Sequence, residues 1–176
     1  MTGLAPFAVL AAGTGKPSGA NVDSFLSATR NSSRLPRYGR VFADMVQELL
    51  ERPAEQSPAE ALRAVAHKAA SKVKFDLDGA LARHERNDPM VACYIDSSFP
   101  ALLVFVAKYA DAGPKAALLA SANAGGENVA RGAALGALMG AAYGKEAWTD
   151  AWLVEGLKDG KAIGEEIDAF LAAAGL

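Results

Sequence analysis

Gly132, Gly136, Gly140 and Gly144 recur at every fourth position. Four residues take slightly more than one helical turn, so on a helix these glycines form one stripe without side chains. Each glycine costs about 0.5–1 kcal/mol relative to alanine in a helix interior. A helix that carries such a row needs an offsetting interaction, and close approach of another helix backbone is the simplest. The segment is therefore predicted to be a tightly packed core helix, in which Gly136→Leu is strongly destabilising. A membrane dimerisation motif fits less well, because the surrounding chain is polar.

The rest of the chain agrees with a helical domain. Its 176 residues, 51% of them hydrophobic, suffice for one domain with a core. Beyond the first thirty residues the chain is rich in Ala, Leu, Glu, Lys and Arg, all good helix formers. Aromatics reach only 7% and alternating Val, Ile, Thr and Tyr runs are missing, so an all-α fold is expected and a large sheet is not. A net charge of -2 argues against a nucleic-acid partner. No stretch offers the roughly 20 apolar residues of a membrane span; the best candidate, 129–144, contains Arg131 and is too short. The apolar run from Leu4 to Ala12 has no Lys or Arg before it, unlike a secretory signal. The lone cysteine, Cys93, excludes an intrachain disulfide and fits a reducing compartment, so a cytoplasmic location is expected.

Residues 1–20 read as an irregular start, because Gly13, Gly15, Pro17 and Gly19 interrupt any helix begun at Pro6. A helical domain is expected over 21–176. Its first helix runs from Asn21 to Thr29. A second opens with Pro36 in its first turn and places Phe42, Met45, Val46, Leu49 and Leu50 on one face. Ser57-Pro58-Ala59-Glu60 is a capping box ahead of a helix that turns Ala61, Leu62, Val65 and Ala69 to one side. A short helix over 75–86 and a turn at Asn87-Asp88-Pro89 follow. Ser98 and Pro100 read as the cap and first turn of a helix that is apolar nearly all round to Ala110, the mark of a buried helix. Gly113-Pro114 precedes another helix, and Trp148 and Trp152 sit one turn apart near a further one. The last helix, after Asp159-Gly160, is amphipathic through Ile163, Ile167 and Phe170.

Chemistry concentrates before the glycine row. Gly125 and Gly126 let the chain turn sharply into a helix whose free N–H groups can receive a phosphate or carboxylate, and Glu127 and Asn128 carry oxygens suited to a hard cation. The plainer reading of Glu127 is a carboxylate placed favourably against the helix dipole. Asp96, with Ser97 or Ser98, is read first as a cap of the buried helix and second as a group reaching a ligand pocket. Cys93 with His67 or His84 gives no recognisable nucleophile–base arrangement, and Cys93 is read as a small buried hydrophobe. One cysteine and two scattered histidines offer no zinc spacing.

Several segments together resemble the ADP-ribosylglycohydrolases. Ser98-Phe99-Pro100-Ala101-Leu102-Leu103 is similar to that family's Ser-x-Pro-Ala-Ala-Leu helix start. Ala122-Asn123-Ala124-Gly125-Gly126-Glu127 resembles the lead into its metal motif, Gly-Gly-Asp-Thr-Asp-Thr, and 132–144 resembles the Gly-Ala-rich helix after it, without a gap. Ala28-Thr29-Arg30-Asn31-Ser32-Ser33 is similar to an earlier Thr-His/Gln segment. The likeness is closest over 94–144 and extends over 21–176, with the N-terminal part of the family fold apparently missing. It implies a compact orthogonal helix bundle and hydrolysis of the bond between ADP-ribose and an acceptor. It also implies two Mg²⁺ ions, held by an early Thr-Asp-Asp run and by the Asp-x-Asp-Thr/Ser after the paired glycines.

Here no Thr-Asp-Asp run is visible. Glu127 stands at the first Asp of the second cluster and is the one expected metal residue. Val129 and Ala130 replace the second Asp and the hydroxyl, and neither offers an oxygen to Mg²⁺. The expected ligand-binding residues are Asp96, Ser98, Gly125, Gly126 and Asn128. The Gly-Gly-Glu-Asn-Val form, with Cys93-Tyr94-Ile95-Asp96-Ser97-Ser98, resembles a divergent branch near the J-type lens crystallins. Three functions follow from the resemblance: hydrolysis through an altered site, binding of ADP-ribose without hydrolysis, and crystallin-like structural use of the fold.

Overall fold

The computed structural model describes residues 2–91, 93–148 and 156–176. Among these residues every regular element is a helix. After a 3₁₀ turn, Thr2–Leu4, come α1 (Ala5–Thr14), α2 (Gly19–Thr29), α3 (Leu35–Leu50), α4 (Pro58–Val73) and α5 (Leu77–Arg83). Then follow α6 (Ile95–Lys108), α7 (Gly113–Asn123), α8 (Asn128–Tyr143), a second 3₁₀ turn, Lys145–Trp148, and α9 (Gly160–Ala174). No helix among them is long and apolar enough to cross a membrane.

The irregular start expected over 1–20 is not observed. Pro6 lies in the first turn of α1, where its missing N–H is harmless, and Gly15, in the left-handed conformation at φ +66°, stops the helix. Gly13 is tolerated inside the helix because the Leu176 side chain packs onto it, in the place a Cβ would occupy. Leu4, Ala8 and Ala11 are buried with Val22 and Leu26 of α2, so the first helix belongs to the core.

Elsewhere the expected elements form with small shifts. Pro36 opens α3, whose Phe42, Met45, Val46 and Leu49 are buried, while Leu50 is exposed. The capping box is present: the Ser57 hydroxyl accepts from the Glu60 amide at 3.2 Å and the Glu60 carboxylate accepts from the Ser57 amide at 3.1 Å. Helix α6 begins at Ile95 rather than at Ser98. Tyr94 stands at its N-cap, and Pro100 lies inside the helix, leaving the Asp96 carbonyl without its helical donor. From Phe99 to Ala107 α6 is buried on all sides except at Pro100, packed by α4, α5 and α8.

Helix α8 forms the other half of the inner layer, with Ala134, Leu135, Leu138, Met139 and Ala142 in the core. The glycine row flanks that face instead of meeting a helix backbone. A Cβ at Gly132 meets nothing within 4 Å, and one at Gly136 reaches Leu118 at 3.8 Å and Trp148 at 3.9 Å. At Gly140 the Trp148 indole is 3.6 Å away. These are ordinary contacts, so the row is a shelf for Trp148 and the expected sterically closed stripe is corrected. Gly144, at φ +75°, terminates the helix. Arg52 closes that end, donating from Nε at 3.2 Å and Nη2 at 2.9 Å to the Ala142 carbonyl. A helical glycine packed against other helices is Gly39 of α3, where a Cβ would lie 2.6 Å from Leu26 and 3.2 Å from Val22.

The amphipathic α9 forms as expected, but none of its residues is buried among the described ones, and Ile163 and Ile167 are exposed. The expected pairing of Trp148 with Trp152 falls outside the described residues.

Candidate functional site

The turn from α7 into α8 is built by two glycines and an arginine. Gly125 and Gly126 have φ of +71° and +64°, a region L side chains avoid. At Gly126 a Cβ would also overlap the Val91 carbonyl oxygen, because Val91 lies against the turn. The Glu127 amide donates to that carbonyl at 3.0 Å, stitching the two segments together. The Glu127 carboxylate then caps α8, accepting from the Ala130 amide at 3.3 Å.

Arg131 holds the turn from below. It is 3% exposed, and its guanidinium lies over the Phe105 ring at 4.8 Å. Nε donates to the Ser121 hydroxyl at 3.0 Å, and Nη2 donates to the carbonyls of Ser121 at 2.7 Å and Gly125 at 2.8 Å. Nη1 is buried without a hydrogen-bond partner. Burial pulls the guanidinium below its ordinary pKa, opposed by the nearby charges of Asp88 and Glu127. Asp88 is itself held by the Lys108 ammonium and the Tyr109 hydroxyl, both at 2.8 Å. Burial, then Asp88, pushes the Tyr109 phenol up to about 12. The turn expected at Asn87-Asp88-Pro89 thus sends its carboxylate inward as a counter-charge.

Above this turn lies a cavity of about 330 Å³ between the starts of α3, α6 and α8. Its polar lining is Arg30, Cys93, Ser98, Glu127 and Arg131, and its apolar lining includes Leu35, Ile95 and Leu102. Of the expected site residues, Ser98 and Glu127 reach it. Gly125, Gly126 and Asn128 lie in the turn that carries Glu127 and do not line the cavity; Nδ2 of the Asn128 side chain donates to the Ala122 carbonyl at 3.4 Å. Asp96 does not line the cavity either. It accepts from the Tyr38 hydroxyl at 2.8 Å and pairs with Arg34, tying α3 to the start of α6 instead of capping that helix. These partners, Tyr38 first, hold its carboxyl below the ordinary value of 3.8. Cys93 is exposed, where a buried residue was expected. Neither histidine lines its cavity: His67 lies 3.8 Å from Asp78, and His84 Nδ1 contacts the Asn87 carbonyl.

Sequence reasoning passed over Arg30 and Arg131. The available signal was Arg131 itself, a cation three and four residues from Ala134 and Leu135 on the core-facing side of an Ala-Gly helix.

The donor set does not fit a binuclear Mg²⁺ centre. Among the described residues no three His, Cys, Asp or Glu side chains cluster so as to hold a metal ion. Glu127 is engaged as a cap, and Val129 is 80% exposed and absent from the cavity lining.

Among the described residues the fold is all-α, with the glycine turn at the start of α8 facing the cavity region. The ADP-ribosylglycohydrolase family model matches residues 2–175, essentially the whole chain, the first helix included. The chain belongs to the ADP-ribosylglycohydrolase family. No curated protein and no solved structure matches it.

Proposed function

We propose that the cavity between α3, α6 and α8 binds ADP-ribose, free or attached to an acceptor, without a binuclear magnesium centre and without efficient hydrolysis. The carrying observation is the charge of the lining: two guanidinium groups, Arg30 and Arg131, against the single carboxylate of Glu127. Such a wall attracts a phosphate-bearing ligand and repels a divalent cation. Its volume falls at the lower end of the roughly 300–1,000 Å³ common for small-molecule sites. Glycosidic hydrolysis ordinarily uses two carboxylates or a metal-activated water. The cavity offers one carboxylate, already committed to the helix start.

Cys93 provides the test, being the sole cysteine of the chain, exposed, and part of the cavity wall. ADP-ribose is expected to slow alkylation of Cys93 by iodoacetamide in a saturable manner, equally with and without Mg²⁺. Calorimetric titration with Mg²⁺ alone is expected to show no tight site. Protection that requires Mg²⁺, or turnover of an ADP-ribosylated protein, overturns the metal-free binding reading. An alkylation rate indifferent to ADP-ribose removes the ligand and leaves the structural use of the fold.

A further inference from the structure

We infer that Arg131 is a positioning residue that sets the Gly125–Gly126 turn, and through it Glu127, at the wall of the cavity. The role rests on the binding reading above, but its first test does not.

The geometry supplies the reason. A turn with two successive left-handed glycines is intrinsically loose, because glycine populates many backbone conformations. Its own stitching is the Glu127–Val91 bond, the 2.9 Å bond from the Asn128 amide to the Gly126 carbonyl and the 3.3 Å bond from the Gly125 amide to the Ala122 carbonyl. Arg131 adds a planar fork that grips the turn at Gly125 and the end of α7 at Ser121, so α7, the turn and α8 move as one piece. The Phe105 ring fixes the guanidinium plane from α6, the helix that brings Ser98 to the same cavity. The clamp therefore references both walls to each other. Lysine carries the same charge but lacks the fork, so Arg131→Lys separates charge from shape.

The first readout is amide hydrogen exchange of the ligand-free protein. In Arg131→Lys the Glu127 and Asn128 amides are expected to exchange about tenfold faster, as loss of charge-assisted hydrogen bonds allows, while α6 amides around Phe105 keep their protection. Ser121→Ala, which removes only the Nε acceptor, is the milder variant and is expected to loosen the same amides by a smaller factor, with a smaller fall in melting temperature than Arg131→Lys. In Arg131→Ala, millimolar guanidinium is expected to restore protection at Glu127, and methylammonium is not. The second readout is Cys93 protection by ADP-ribose, whose half-maximal concentration is expected to rise about tenfold in Arg131→Lys.

Unchanged exchange at Glu127 in both Arg131→Lys and Ser121→Ala overturns the inference. So does an equal loss of protection throughout the chain in both, which makes Arg131 a stabiliser of the whole fold. If the parent shows no ADP-ribose protection while the exchange results hold, the binding reading fails and the positioning role of Arg131 stands.

Discussion

Helices α6 and α8 lie side by side in the same core and are built on opposite plans. Helix α6 fills its surroundings with side chains: Phe99, Leu102, Leu103, Val104, Phe105 and Val106 are all at most 1% exposed. Helix α8 buries one face and leaves the glycine row beside it half-buried, covered by Leu118 and the Trp148 ring. One helix is held by volume. The other is held by a single buried face, Leu135, Leu138 and Met139, and by ties at its two ends, Glu127 and Arg131 at the start and Arg52 at the finish. Substitutions should therefore be damaging almost anywhere along the middle of α6, but in α8 only on its buried face and at its beginning, and mildest along the glycine row.

The largest effect is expected for Phe105→Ala. It empties a fully buried site and uncovers the guanidinium of Arg131, so a loss of roughly 3–5 kcal/mol is expected in urea unfolding. A loss below about 1 kcal/mol would break the contrast between the helices. Gly126→Ala comes next. The left-handed backbone alone costs about 1–3 kcal/mol for a residue with a Cβ, and overlap with the Val91 carbonyl adds to it. The expected result is a lowered melting temperature together with faster exchange of the Glu127 amide.

Gly140→Ala is expected to have the opposite sign. Its Cβ meets Trp148 at 3.6 Å, an ordinary contact, and the helix gains about 0.5–1 kcal/mol from losing a glycine. Thermal unfolding of this variant separates a shelf from a closed seam: destabilisation beyond about 1 kcal/mol would restore the seam.

The smallest effect concerns pH and the exposed tie between α3 and α6. Asp96 has a folded-state pKa below the ordinary 3.8, chiefly through the Tyr38 hydroxyl and then Arg34. Between those two pKa values the unfolded chain binds more protons than the folded protein. The contribution is thus complete above pH 3.8 and is lost as pH falls through the folded value. Tyr38→Phe is expected to lower the melting temperature slightly near neutral pH, with the gap to the parent closing in strong acid. A constant gap would mean that the ring packing of Tyr38 against Phe99, not its hydroxyl, holds the tie.

The plan of α6 was legible in the sequence because a run without polar residues has few places to go but the interior. That α8 is a helix was equally legible, but what its glycines face was not. A four-residue spacing marks a stripe and says nothing of which neighbour covers it; here the cover is Trp148, past the end of the helix. The cap of α6 was misplaced by four residues, at Ser98 instead of Tyr94, since Pro100 reads as a first turn and the helix tolerates it further in. Glu127 was found from its place after two glycines. Asp96 was drawn toward the site by its position in the chain, yet its partners Arg34 and Tyr38 are about sixty residues away in sequence, with separations of 62 and 58. The role of Arg131 also depended on tertiary structure, because Phe105 and Asp88 come from other elements.

The two ends of α8 give the cavity a sense of direction. A helix start ordinarily offers partial positive charge to an incoming anion, but this one is already satisfied by the carboxylate of Glu127, just as its far end is satisfied by Arg52. Under the proposed binding, a phosphate entering the cavity gains little from the capped amides of α8 and more from the guanidinium groups of Arg30 and Arg131 in the lining. The wall near Glu127 suits a neutral, hydroxyl-bearing end, whose O–H groups can donate to a carboxylate. On the proposed binding, a ligand with one charged and one uncharged end would be sorted by orientation before any close fit is made, and exchanging Glu127 for a neutral cap would remove the sorting while leaving the helix in place.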